Sequence, residues 1–316
     1  MSEPSREPST PASPLSRVVG VIASPGRTFP EIVRNPGWIP PFVFFLVMVV
    51  VSMGIWGMKA DFVTIIGDQI ENSPFLKLAP EAQRDQIVSK GLEPFRKQTQ
   101  TQTAIQTVVS AGVNQLPFYH AMALIYATLF VMMGALKDLK LGSAWVNFLL
   151  CLVMYLAYLG VYMVATIAFS EATNSAILLN GTASVAMTAG WMWLLNRKTA
   201  ADQDFHRLLS VCCYSSAVLI IWALVFTAIS LVTPAPIQTY VDKMVKSNLG
   251  ALVTTGAPVL QKALESIDLF TIWWLTTLTL GFRSATKLSI GMTASITFLP
   301  WAVVVLIKIA WTAVFG

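Results

Sequence analysis

The sequence predicts an all-α fold: a polytopic transmembrane helix bundle of about seven spans, with the N-terminus cytoplasmic and the C-terminus outside. Three observations predict it. The chain is 55% hydrophobic and only 12% charged, with a mean hydropathy of +0.65; a soluble domain carries about twice that charged fraction. Several uncharged runs approach or exceed the roughly twenty residues that a helix needs to cross a hydrocarbon core. Lys and Arg collect in alternate short loops between those runs, the asymmetry that orients a polytopic chain.

Residues 1–14, MSEPSREPSTPASP, are rich in Pro and Ser and predict a disordered tail, since they can bury almost nothing. Residues 15–35 predict a basic amphipathic collar. Leu15, Val18, Val19 and Ile22 recur at helical spacing, with Ser16 and Arg17 off that face. Ser24-Pro25 then reads as a cap followed by proline in the first turn. Phe29, Ile32 and Val33 make a second apolar face opposite Arg27, Glu31 and Arg34. Pieces this short do not span; they suit a membrane surface, with arginines toward lipid phosphates. Asn35-Pro36 ends the second piece, because the residue before proline disfavours helical geometry. The apolar runs begin too far along the chain for a cleavable signal peptide.

Residues 36–316 predict the transmembrane domain. Its apolar segments are Pro40–Met58, about Leu116–Leu136, about Ala144–Phe169, a stretch within Ala172–Asn196, about Leu208–Val232, Leu269–Phe282 and Leu288–Phe315. The sixth is short between Asp268 and Arg283, and is expected to start nearer Ala263 or to thin the bilayer locally. Lys137 and Lys140, then Arg197, Lys198 and Arg207, then Arg283 and Lys287 occupy the short loops of one side. With Arg17, Arg27 and Arg34 they mark that side as cytoplasmic. The long loops, about 59–115 and 233–267, then face outward, and long loops do not set orientation. The first contains a helical stripe at Phe62, Ile65, Ile66 and Ile70, a helix start at Pro80-Glu81, and the tract QTQTQT at 98–103, read as a polar link into the second span. Residues 249–264 of the second are weakly charged, and are expected to lie in the outer interface or dip into it.

The inventory of reactive groups is thin. Cys151, Cys212 and Cys213 all fall in apolar runs and no CxxC pair exists, so neither a zinc site nor any other metal or cofactor site is expected. No nucleophile elbow, phosphate loop or HExxH motif stands in the sequence, and an enzyme is not expected. The positive balance belongs to loops rather than to a face, so nucleic acid is not an expected partner. The expected partners are the lipid bilayer, other membrane proteins, or a second copy of the chain. Gly134, Gly160, Gly190, Gly281 and Gly291 allow the close helix approach that packing or self-association in lipid uses. Trp273 and Trp274 open the sixth span where indoles anchor at an interface. His120, beside Tyr119, is placed at the outer end of the second span. Lys308 is the one clear charge within a span; near the chain's end it can snorkel to the interface, or point into a polar path with Asn147 and Asn180.

The stretches LSRVVGVIASPGRTFPEIVRNPGWIPPF and IDLFTIWWLTTLTLGFRSATKLSIG resemble prokaryotic members of the Yip (Ypt-interacting protein) family. Asp268, Phe270, Ile272, Trp273, Gly281 and Ser289 fall where that pattern has them, and Tyr155 and Tyr214 lie in segments similar to its middle spans. The resemblance implies a five-span core, so that seven spans would require an inserted hairpin. The DLYGP motif of eukaryotic members is absent, and their Rab GTPase contacts are not carried over. The chain is therefore expected to be a non-enzymatic integral membrane protein that organises membrane or partner proteins, with a transport or channel component as the alternative. Its location would be the inner membrane of a prokaryote or an endomembrane of a eukaryote.

Overall fold

The computed structural model of the chain describes residues 13–71, 76, 79–113, 115–133, 135, 146, 149, 153, 203–253 and 255–315. Apart from Val146, Leu149 and Val153, the expected third and fourth spans, and with them Asn147, Asn180, Cys151 and Tyr155, lie outside the described residues. Among those described there are helices and no strand. In chain order they are α1 (Pro14–Ala23), α2 (Pro25–Arg34), α3 (Ile39–Gly57), α4 (Phe62–Glu71), α5 (Glu81–Lys97), α6 (Gln100–Val113), α7 (Gln115–Met132), α8 (Gln203–Ser215), α9 (Ala217–Val232), α10 (Val241–Met244), α11 (Leu249–Leu252), α12 (Pro258–Ser266), α13 (Leu269–Thr286) and α14 (Ile290–Phe315).

Three stretches, Ile39–Gly57, Asp204–Val232 and Ile290–Val314, are helical, long and apolar enough to cross a membrane. They coincide with the first, fifth and seventh segments read from the sequence. The fifth is interrupted by a single turn residue: Ser216 separates α8 from α9, and its hydroxyl bonds back to the Cys212 carbonyl.

The second segment differs from its expectation. The QTQTQT tract is helical, and α6 lies along α3 rather than linking loosely to the membrane. Gly57 permits this, since a methyl group there would meet Ala104 Cα at 3.1 Å. The threonines remove their own polar cost: Thr103 and Thr107 donate to carbonyls one turn back. Because α6 and α7 follow one another, Tyr119 and His120 fall inside the bundle, not at an interface. Both are fully buried, with the His120 ring edge-on to Phe205.

The sixth segment also differs. α13 begins at Leu269, not near Ala263, because the Asp268 carboxylate caps it by accepting the Thr271 N–H at 2.9 Å. It gains length at its other end, running through Arg283 to Thr286, about 27 Å for its 18 residues at 1.5 Å each. Lys287, in the left-handed region, closes it.

Contacts sort the helix ends into two sets. At one end, Lys59 Nζ donates to the carbonyls of Ser230, Leu231 and Thr233 at 2.7–2.9 Å, placing a cation on the negative terminus of α9. Isolated bridges join Ala60 to Ile237 and Asn248 to Asp268 there. At the other end, α1 and α2 lie against the bundle near the close of α13. The main core between them is aromatic, with Phe42, Phe45, Tyr119, Phe205 and Phe282 buried together.

Candidate functional site: a basic collar and a lysine-lined cleft

The collar at residues 15–35 forms the two helices expected, on a different face in α1. Val18 and Val21 are buried, whereas Leu15 and Val19 are exposed. Arg17, expected to point outward, is 8% exposed. Its Nε donates to Glu31 Oε1 at 3.1 Å and its Nη1 to the Asn35 carbonyl at 3.0 Å, so its charge is met within the protein, as a buried guanidinium requires. Phe29 and Ile32 of α2 are fully buried. Their neighbours are α8 and α13. Arg27 and Arg34 remain exposed on the outer side, a basic face held rigid by the burial of the opposite one.

Trp273 and Trp274 are half-buried. The Trp274 ring stacks on Phe118 at 6.5 Å, and Trp273 borders the second apolar cluster with Phe226 and Phe270. Both indoles therefore contact neighbouring helices.

At the end where Lys59 caps α9, the segment 241–268 folds into three short helices and encloses a cleft of about 520 Å³. Its lining includes Lys243, Lys246, Lys262 and Lys308 with Glu265 and Asp268, and Trp222. Lys308 stands exposed at this cleft. Two of the charges are answered locally. Lys262 pairs with Glu265 at 3.1 Å. Asp268 is committed to α13, accepting from the Thr271 N–H and hydroxyl and from the Ser247 hydroxyl. Among the described residues no acidic group pairs with Lys243, Lys246 or Lys308. The remainder is positive.

Sequence reasoning singles out Lys308 but not its companions, because long-loop lysines carry no information on orientation. The signal available is Lys243 and Lys246 just ahead of an Asn248 cap, in a loop returning to the membrane beside the single lysine of the last span. Among the described residues no three His, Cys, Asp or Glu side chains converge as a metal site would require.

A family model for the Yip1 domain matches residues 137–312. No curated protein and no solved structure matches the chain. The matched run holds the last five of the seven apolar segments, together with Tyr155, Tyr214, the block from Ile267 to Gly291, and the lysine cleft. The leader, α3, α6 and α7 precede it. The match covers more than half of the chain, and its membrane-length apolar helices are those of an integral membrane protein: the chain belongs to the Yip1 domain family.

Proposed function

We propose that the protein is a non-enzymatic organiser of membrane or partner proteins, oriented with the collar in the cytoplasm and the Lys308 end outside. The observation that carries this reading is the separation of two exposed surfaces by an interior that, among the described residues, is a buried aromatic core. The collar offers Arg27 and Arg34 at one end; at the other, α4 and α5 pair as a hairpin with Ile87 exposed. Between them polar groups join helices: the Ser216 and Tyr119 hydroxyls bond to each other, and the Tyr126 hydroxyl donates to the Thr297 carbonyl at 3.0 Å. Such bonds tie helices together.

Two further points support the arrangement. The basic short-loop residues Arg207, Arg283 and Lys287 belong to the collar's end of the bundle, in keeping with an inside-positive rule. On the seven-span reading, the two segments beyond the five-span core that the resemblance implies would lie ahead of residues 137–312, which favours an N-terminal addition over an inserted hairpin. A transport path through Lys308 has less support, because that side chain is exposed at the cleft rather than turned between spans.

The test is photo-crosslinking in native membranes, with a crosslinking residue at position 34 or 87. Adducts to a second copy or to one defined membrane protein are the expected outcome. Adducts to lipid alone at both positions would overturn the reading.

A further inference from the structure

We infer that the cleft bounded by Lys243, Lys246 and Lys308 binds a phosphate-bearing anion, and that its source is the headgroup of an anionic phospholipid. The inference does not depend on the orientation or the partners proposed above.

Charge is the first ground. Four lysines and two carboxylates line the cleft, leaving a formal excess of two positive charges. Glu265 is occupied by Lys262, and Asp268 by its cap and by Ser247. Three ammonium groups therefore face one space in which, among the described residues, only the Asp268 carboxylate stands outside an ion pair, and an anion relieves the repulsion of the two-charge excess that remains. An ammonium is a compact charge with rotatable donors, suited to phosphate.

Size is the second. A cleft of about 520 Å³ lies within the roughly 300–1,000 Å³ of small-ligand sites. It admits a headgroup and excludes a folded segment.

The surroundings choose between a lipid and a free phosphate. Lys308 emerges from an apolar helix surface: Val304, one turn before it, and Ile307 beside it are exposed. Beside the cleft, Leu252 closes α11, Val253 follows it, and both are exposed together with Leu260 of α12, Leu252 at 76%. A phosphate held by these lysines would have acyl chains laid along the α14 surface, while Leu252, Val253 and Leu260 enter the same apolar layer. A free anion would use none of that surface. The combination of lysines with adjoining apolar area is the design of interfacial lipid binding.

The experiment uses the full-length chain in neutral detergent, with unfolding followed by the fluorescence of its 10 tryptophans. Phosphatidylglycerol added to the micelles should raise the unfolding midpoint in a dose-dependent way, as a ligand of the folded state must. Phosphatidylcholine should not. K308Q should weaken the apparent affinity about fivefold, and K243Q/K246Q/K308Q should abolish the rise, at roughly fivefold per lysine. The corresponding triple Arg variant should keep it, as should K90Q/K97Q, whose lysines lie on α5. An undiminished rise in both K308Q and the triple Gln variant overturns the site, and so does an equal rise with phosphatidylcholine. An equal rise with inorganic phosphate overturns the lipid assignment. Should the triple Gln variant not fold, K308Q against the triple Arg variant decides the matter.

Discussion

Phe29 of the collar lies against the bare backbone of Gly281 in α13. A methyl group at Gly281 would stand 2.9 Å from Phe29 Cε1 and 2.5 Å from Val211 Cγ1. Three segments thus meet at one point that only glycine leaves open, and one of them lies ahead of the residues matched by the family. Close approach through a small residue is how helices gain contact area in lipid, where the hydrophobic effect does not drive them together.

Gly281→Ala should therefore destabilise the protein by about 1–3 kcal/mol, the usual cost of overpacking. Gly291→Ala is its control, because nothing lies within 4 Å of the added carbon there. Thermal unfolding in detergent, compared between the two variants, checks the expectation. Equal midpoints would mean that α2 and α8 do not close on α13 as described.

Arg17 makes a second test of the collar. Its fork reaches both Glu31 and the Asn35 carbonyl, so it holds α1 to the end of α2. Arg17→Lys keeps the charge but cannot span both acceptors, and at a forked site that exchange is not conservative. Glu31 is 34% exposed, so solvent screens part of the pair. We expect about 1–2 kcal/mol lost in Arg17→Lys and more in Arg17→Ala, which also takes the guanidinium away from the part-buried Glu31 carboxylate. A double-mutant cycle with Glu31→Gln, read by unfolding, should give a coupling of the same order. A coupling near zero would leave the clamp without energetic content.

Legibility in the sequence divides along a simple physical line. Uninterrupted apolar runs announce themselves, so Pro40–Met58, Leu208–Val232 and Leu288–Phe315 reappear nearly unchanged as helices. Polarity that is satisfied at a distance does not. The buried face of α1 departs from its apolar pattern because Arg17 finds its partners 14 and 18 residues further on, and no local pattern signals that a guanidinium will be buried. The QTQTQT tract reads as a link because threonine and glutamine count as polar, whereas Thr103 and Ala104 are buried against α3. Placing α6 along α3 is also what moves Tyr119 and His120 inward. The cleft depends on Lys243 and Lys246 meeting Lys308 across α12, α13 and α14, a closeness that only tertiary structure supplies.

The hairpin end carries a pH dependence at Asp61. Its carboxylate accepts the Thr64 hydroxyl at 2.8 Å and the Thr64 N–H at 3.2 Å, and the hydroxyl first, then the N–H, holds the carboxyl below its ordinary range. A depressed acid contributes stability that is present above the unfolded value, near 3.9, and is lost as pH falls through the folded value. Asp61→Ala should cost about 1 kcal/mol at neutral pH, as loss of a helix cap does. The gap between wild type and variant should narrow as pH is lowered below about 4. A gap that stayed constant down to about pH 3 would remove the charge from the explanation.

Orientation is the last expectation, and it can be read directly. With the collar inside, Lys140→Cys should react with a membrane-impermeant maleimide only after the cytoplasmic side is opened, and Asp85→Cys should react in intact cells. Cys212 and Cys213 are buried in the bundle, and Cys151 is replaced by Ser in the parent chain so that the introduced thiol alone is read. Asp85 lies on α5, which is joined through α4 to the end where Lys59 caps α9. The two ends are held apart by α3 and by the run of α8 and α9, each long and apolar enough to cross a membrane, and the hydrocarbon layer itself bars a charged label. Labelling at 85 from outside therefore also assigns the lysine cleft to the outer face, whereas labelling at 140 alone in intact cells would invert the whole molecule and place both the cleft and its anionic headgroup in the cytoplasmic leaflet.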